Sequence, residues 1–149
     1  MTLSTEFTGP FAAYAVVSLV LAANLLALWI GSGAVRAKGG IAINPEDGAR
    51  YKVPVSETDP PAVARLLRAH RNAEATSYPF LLLGLVYLLV GGTPRVAIPI
   101  FAAFTLARLA HSIVYLRGLQ PWRTVAFAAS LLAIVALMTA IISTLAMSR

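Results

Sequence analysis

Cysteine is absent from this 149-residue sequence, and charged residues are scarce. Without cysteine there is no disulfide, no zinc site built on thiolates and no cysteine nucleophile, so any thiol chemistry must use a thiol that arrives with a ligand. Charged residues make up 12%, against roughly 25% in a soluble domain. Hydrophobic residues make up 58%, and the mean hydropathy is +0.77. This composition excludes a disordered chain and an ordinary cytosolic enzyme, and the length predicts a single domain over residues 1–149.

Long apolar runs predict membrane-spanning helices, each of which needs about 20 mainly apolar residues. Four runs meet or approach this length, over about 11–30, 63–90, 96–116 and 123–147. The turns between the last three runs are short, so neighbouring helices are expected to be antiparallel. The predicted fold is an all-α integral membrane protein, an antiparallel four-helix transmembrane bundle. Residues 32–61, rich in glycine and proline, form the one sizeable connection outside the membrane.

The distribution of basic residues predicts the orientation. Nine of the twelve lie in or beside the connections after the first and third spans, and two lie on the opposite side. The positive-inside rule then places both termini on the non-cytoplasmic side. The net charge of +6 is therefore explained by topology rather than by nucleic-acid binding. We do not expect the first apolar run to be a signal peptide, because the ten residues before it hold Glu6 and no lysine or arginine. The short connections favour a bacterial inner membrane.

Polar side chains within the spans converge at the cytoplasmic end, although each ionisable group there costs roughly 2.5–3.5 kcal/mol. Arg108, His111 and Tyr115 are spaced by three and four residues, so they share one face of a helix. Glu74 is the one acid of the spans, and it cannot neutralise all five arginines there: Arg36, Arg68, Arg71, Arg108 and Arg123. Buried positive charge needs a partner. The missing negative charge comes either from a loop acid, such as Glu46 or Asp47, or from an anionic ligand. For Arg108 the alternative is a structural ion pair with Glu74.

These polar residues also have explanations that involve no ligand. The arginines at the start of the second span could reach the headgroups, Arg123 could mark topology, and His111 could bond between helices. Two histidines on different helices make a poor metal site, and we expect no metal. The serines have no evident histidine–acid triad.

Four stretches resemble the MAPEG family, the membrane-associated proteins of eicosanoid and glutathione metabolism, and most closely its microsomal prostaglandin E synthase branch. The most specific stretch is Arg-Ala-His-Arg-Asn over 68–72, followed by Tyr-Pro-Phe over 78–80. Asn-Pro-Glu-Asp over 44–47, Arg-Leu-Ala-His-Ser-Ile-Val-Tyr over 108–115 and Gln-Pro-Trp-Arg-Thr over 120–124 follow the same order.

The resemblance implies a homotrimer that holds glutathione between neighbouring subunits. The positions that match tripeptide-binding residues are Arg36, Arg71, Asn72 and His111, and Arg68 and Arg108 match basic residues that line or support the cavity. Arg123 matches the arginine that stabilises the thiolate, Thr124 keeps a hydroxyl beside it, and Asp47 matches an aspartate proposed to assist catalysis. Tyr115, Glu74 and Phe127 complete the candidate binding set. Glu74 comes one residue earlier than the family's glutamate, and Phe127 replaces a tyrosine.

The predicted function is a glutathione-dependent membrane transferase, peroxidase or isomerase, which activates a thiol against lipophilic electrophiles at the cytoplasmic membrane face. An adjacent arginine and a helix N-terminus both favour the thiolate. Its expected partners are a second copy of the chain, a lipophilic small molecule and membrane lipid. The alternative, favoured by the displaced Glu74 and by Phe127, is a non-catalytic protein that binds lipid or glutathione. A small multidrug transporter fits less well, because it needs an acid deep in the first span, where this chain has Asn24.

Overall fold

The computed structural model describes residues 9–147, which fold into five helices. They are α1 (Pro10–Lys38), α2 (Pro45–Tyr51), α3 (Pro61–Leu89), α4 (Pro94–Arg117) and α5 (Trp122–Met147). A proline stands in the first turn of each of the first four helices, where its missing N–H would have no partner anyway. The β-structure in the described residues is one isolated bridge between Ala42 and Val55. The prediction of an all-α fold is therefore confirmed.

Three helices are long and apolar enough to cross a membrane, namely α1, α4 and α5. The sequence predicted four such spans. Helix α3 has 29 residues, but its first half carries five ionisable side chains, which lower its hydropathy. These are Arg65, Arg68, His70, Arg71 and Glu74. The apolar character of the other three long helices fits a membrane protein.

Helices α1 and α3 run antiparallel. The Tyr14 hydroxyl, near the start of α1, donates a hydrogen bond to the Leu81 carbonyl near the end of α3, at 3.0 Å. At the other end the rings of Trp29 and His70 lie 5.6 Å apart. Beside the Tyr14 contact, Gly84 lets the helices approach closely, because a Cβ there would come 3.1 Å from the Tyr14 ring.

The apolar core occupies the half of the molecule away from the basic connections. At its centre the rings of Phe80 on α3 and Phe104 on α4 stack in parallel, with centroids 3.7 Å apart. The buried residues of this core are Val17, Leu21, Phe80, Tyr87, Ala97, Phe101, Phe104, Ala133, Leu137 and Ile141. A smaller cluster of Leu28, Ala69 and Ala73 lies towards the basic end. Polar side chains therefore gather where the apolar core is thinner.

The connection between α1 and α3 is shorter than the sequence indicated. Helix α1 continues through Gly31 and Gly33 and ends at Lys38, whereas the connection was expected from residue 32. Each helical glycine costs roughly 0.5–1 kcal/mol. Both glycines follow more than five turns of established helix. Because helix propagation is cooperative, extending that helix offsets the cost. Helix α2 and the Ala42–Val55 bridge occupy the rest of the connection.

The turn between α4 and α5 fixes where α5 begins. Gly118 has a φ of +70° and donates its N–H to the Tyr115 carbonyl at 3.1 Å, while the Leu119 N–H reaches the Val114 carbonyl at 3.0 Å. This left-handed glycine ends α4 in the usual way. After it, α5 starts at Trp122, which places Arg123 in the first turn.

Candidate active site

Arg108 is the most deeply buried charged residue described, with no exposed surface. Its Nη2 donates a hydrogen bond to Oδ1 of Asn72 on α3, at 3.1 Å. Its Nε and Nη1 have no hydrogen-bond partner within residues 9–147. A buried guanidinium with open donors is costly unless an acceptor from outside the chain completes it.

His111 lies one turn further along α4 and is also buried, at 2% exposure. Its ring sits between those of Tyr115, at 5.5 Å, and Phe127 on α5, at 6.0 Å. Its Nδ1 is a second buried polar atom without a partner among the described residues. The expected stripe on α4 therefore faces α3 and α5 rather than lipid.

Arg123 reaches this stripe from the first turn of α5. Its guanidinium carbon lies 5.0 Å from the centre of the Tyr115 ring, in a cation–π contact. Gln120, with its amide oriented to satisfy its hydrogen bonds, accepts from Arg123 Nη2 at 2.6 Å and from Nε at 3.1 Å. The same amide donates to Oγ1 of Thr124 at 3.2 Å. The guanidinium is thus oriented by a neutral amide, and no described carboxylate neutralises it.

These contacts, together with the spacing of Arg108 and His111 three residues apart on α4, define the arginine cluster at the basic end of α3, α4 and α5. Its members are Asn72, Arg108, His111, Tyr115, Gln120, Arg123, Thr124 and Phe127.

A second group lies at the end of α1. Arg36 donates from Nε at 3.0 Å and from Nη2 at 2.7 Å to the same oxygen of Asp59. The loop acid that pairs with it is therefore Asp59, neither Glu46 nor Asp47. Arg36 and Asp47 both line a cavity of about 760 Å³ between the end of α1 and α2. We call this the α1–α2 cavity; Asn44, which also lines it, donates to Asp47 at 3.4 Å.

Glu74 does not pair with Arg108, so that alternative is wrong. The Tyr78 hydroxyl donates to Oε1 of Glu74 at 2.9 Å, and His70 Nδ1 lies 3.3 Å from Oε2. The reason is helical spacing: two residues after Asn72, Glu74 points about 160° away from it. Asn72 takes the place beside Arg108 instead.

Arg68 and Arg71 are exposed and join neither group by an ion pair or hydrogen bond within the described part of the chain. The structure thus divides the candidate residues between the arginine cluster and the α1–α2 cavity, with Glu74, Arg68 and Arg71 outside both.

The sequence of the chain matches known proteins over most of its length. The profile of the MAPEG family matches residues 13–143. Human prostaglandin E synthase is 40% identical over 116 residues, which cover 77% of this chain and 76% of that protein. The chain belongs to the MAPEG family. Human microsomal glutathione S-transferase 1 is 33% identical over 124 residues, covering 78% of this chain and 79% of its own. Mouse prostaglandin E synthase is 35% identical over 109 residues, covering 73% and 71%.

These comparisons confirm the resemblance to MAPEG proteins and the prediction of an enzyme, since the relatives are named as a synthase and a transferase. They also support membrane location for this MAPEG chain, together with its three apolar helices.

Two residues that position the candidate arginines of this MAPEG protein escaped the sequence interpretation. Gln120 was noted only as part of a motif, and Asp59 was not singled out among the loop acids. The spacing of Gln120, three residues before Arg123 at a helix start, could have identified it. No sequence signal marks Asp59, because its contact with Arg36 depends on how the connection folds.

Proposed function

We propose that this protein is a glutathione-dependent membrane transferase or peroxidase, which activates a thiol against lipophilic electrophiles at the cytoplasmic membrane face. The observation that carries the proposal is Arg123 in the first turn of α5, held over Tyr115 and beside the buried His111. A guanidinium and a helix N-terminus both stabilise a nearby thiolate and lower the pKa of the thiol. The names of the relatives, prostaglandin E synthase and glutathione S-transferase, support the same class.

The residues present fit an anionic thiol peptide such as glutathione. Buried atoms of Arg108 and His111 lack partners within residues 9–147, and an anionic ligand would supply acceptors there. When bound, glutathione supplies the nucleophilic sulfur. The chain's own residues then hold its charged groups, orient it and keep its thiol ionised.

Each candidate residue has a proposed role. Those that hold the peptide are Arg36, Arg71, Asn72 and His111, and those that line the site are Arg68, Glu74, Arg108, Tyr115 and Phe127. Arg123 stabilises the thiolate. Thr124 follows it in the chain and accepts a hydrogen bond from the Gln120 amide. Asp47, in the α1–α2 cavity, assists the chemistry on the acceptor.

A homotrimer of single-domain subunits, each crossing the membrane four times, explains why the candidate residues fall into two groups. No hydrogen bond, ion pair or ring contact joins the α1–α2 cavity to the arginine cluster within residues 9–147. A site that uses both is completed by placing the cavity of one subunit against the cluster of its neighbour. Helix α3 is then the fourth span, because its ionisable side chains from Arg68 to Glu74 face other protein rather than lipid.

The orientation follows the basic residues. The connections after α1 and α4 face the cytoplasm, and the start of α1 and the end of α5 face away from it. A bacterial inner membrane stays a prediction.

Arg123→Ala tests the function. Turnover of glutathione with 1-chloro-2,4-dinitrobenzene, and with a lipid hydroperoxide, should fall about a hundredfold or more, since a preorganised charge at the reacting atom is lost. The ultraviolet absorbance of the bound thiolate should fall with it. Arg95→Ala, an exposed arginine at the opposite end of α4, is the matched control and should leave turnover unchanged.

Full turnover by Arg123→Ala would contradict the assignment. If instead the native protein is stabilised by glutathione but turns over none of these acceptors, the non-catalytic binding protein is the correct reading.

A further inference from the structure

A groove separate from both groups opens between the first turn of α3 and the last turn of α4. It has a volume of about 480 Å³ and is lined by Pro61, Ala62, Arg65, Leu66 and Leu116. Four of the five lining residues are apolar, and the fifth is a cation. The groove therefore offers an apolar wall with positive charge at one place.

Two exposed arginines lie at this groove. Arg65 lines it, and Arg117 is next to the lining residue Leu116. The Arg65 Nη1 donates one long hydrogen bond, 3.5 Å, to the Leu116 carbonyl. The ion pairs found within residues 9–147 are Arg36–Asp59 and His70–Glu74, so neither arginine is paired with a carboxylate there. The first turn of α3 also lacks an acid.

The groove lies where an apolar helix meets the polar boundary of the membrane. Helix α4 is apolar enough to cross the membrane and ends at Arg117. Beyond it Leu119 and Trp122 are exposed, at 44% and 62%. Exposed tryptophan beside arginine is typical of the interface at headgroup level. An occupant of the groove would therefore have its polar part at the headgroups and its apolar part within the hydrocarbon.

We propose that this groove binds an anionic phospholipid, with the phosphate at Arg65 and Arg117 and an acyl chain along Leu66 and Leu116. Charge complementarity selects the occupant, because Arg65 and Arg117, neither paired with a described carboxylate, attract a headgroup with net negative charge. The apolar lining selects a lipid over a free anion, which would leave Leu66 and Leu116 without a partner. Basic pockets between membrane helices on the cytoplasmic side are known to hold anionic headgroups.

The experiment compares phosphatidylglycerol with phosphatidylcholine of the same acyl chains, added to the purified full-length protein in detergent. Phosphatidylglycerol should raise the Tm more than phosphatidylcholine and should be retained in native mass spectrometry. The double variant Arg65→Gln, Arg117→Gln should lower this preference about tenfold, since each surface arginine contributes separately to attracting anionic lipid. Arg50→Gln with Arg95→Gln removes the same charge elsewhere and should leave the preference unchanged.

Three results would overturn the proposal. They are equal stabilisation by the two lipids, an unchanged preference in the Arg65→Gln, Arg117→Gln variant, and a Tm shift reproduced by inorganic phosphate alone. Should that variant fold poorly, Arg65→Lys with Arg117→Lys keeps the charge and must keep most of the preference. Because neither arginine belongs to the proposed thiol site, glutathione turnover distinguishes failure here from failure of the proposed function.

Discussion

At the scale of single residues, the proposed chemistry depends on how Arg123 is held. Tyr115 supports one face of its guanidinium, and Gln120 accepts from two of its nitrogens. A neutral acceptor fixes the direction of the group but leaves its full charge available. A carboxylate in the same place would neutralise the charge that a thiolate needs. In the proposed site Gln120 is therefore a positioning residue.

Gln120→Ala should lower kcat/KM for glutathione about tenfold, because charge-assisted hydrogen bonds that orient Arg123 are lost. The loss should be smaller than that of Arg123→Ala, since the cation itself remains. The ultraviolet thiolate absorbance of bound glutathione should also decrease, which a purely structural role would not cause. Gln120→Asn, with the same amide on a shorter side chain, should recover part of the activity. Unchanged kcat/KM and thiolate absorbance in Gln120→Ala would show that Tyr115 alone orients the arginine.

At the scale of helices, the stability of the fold depends on close packing in the half of the molecule away from the arginine cluster. Gly84 on α3 faces the Tyr14 ring, and a Cβ there would lie 3.1 Å from Tyr14 and 3.4 Å from Phe101. Substituting Gly84 by valine should therefore separate α1 from α3. The expected loss is roughly 1–3 kcal/mol in the free energy of unfolding, as for other overpacked cores.

Thermal and denaturant unfolding of Gly84→Val in detergent would measure this loss. Gly33→Ala is the matched control, because it also lies in a long helix but a Cβ there meets no atom within 4 Å. It should be neutral or gain up to about 1 kcal/mol from helix propensity. Equal stability of Gly84→Val and the native protein would mean that the helices do not pack as described.

Hydropathy predicted the long helices well, because it is a local signal. Proline begins α1 at residue 10 and α4 at residue 94, close to where the apolar runs start. The predicted end of α1 at about residue 30 was wrong, because helix propagation through Gly31 and Gly33 outweighed the local cost of glycine. The spacing of Arg108, His111 and Tyr115 predicted one face of α4, but it could not predict that Asn72 would replace Glu74 beside Arg108. That choice depends on the rotation of α3 against α4, which sequence spacing alone does not fix.

At the scale of the whole molecule, the candidate residues fall into two groups. Whether neighbouring subunits share one site can therefore be tested by combining variants of the two groups. In a closed ring of three identical subunits, each contact joins one face of a subunit to a different face of its neighbour. If the α1–α2 cavity of one subunit completes the arginine cluster of the next, a defect in either face inactivates the site. The two defects need not lie in the same chain.

Arg36→Ala and Arg123→Ala, each alone, should therefore be nearly inactive. Co-expression of the two variants in equal amounts should restore about a quarter of native turnover, because one contact in four then joins two intact faces. The purified mixture is assayed with glutathione and 1-chloro-2,4-dinitrobenzene, and separately prepared variants mixed after purification serve as the control. If each site lay within one chain, every subunit of the co-expressed assembly would still carry a defect, and turnover would stay at the level of the single variants. Full activity of Arg36→Ala alone would instead remove the α1–α2 cavity from the site, leaving the pair between Arg36 and Asp59 as a structural contact of the connection.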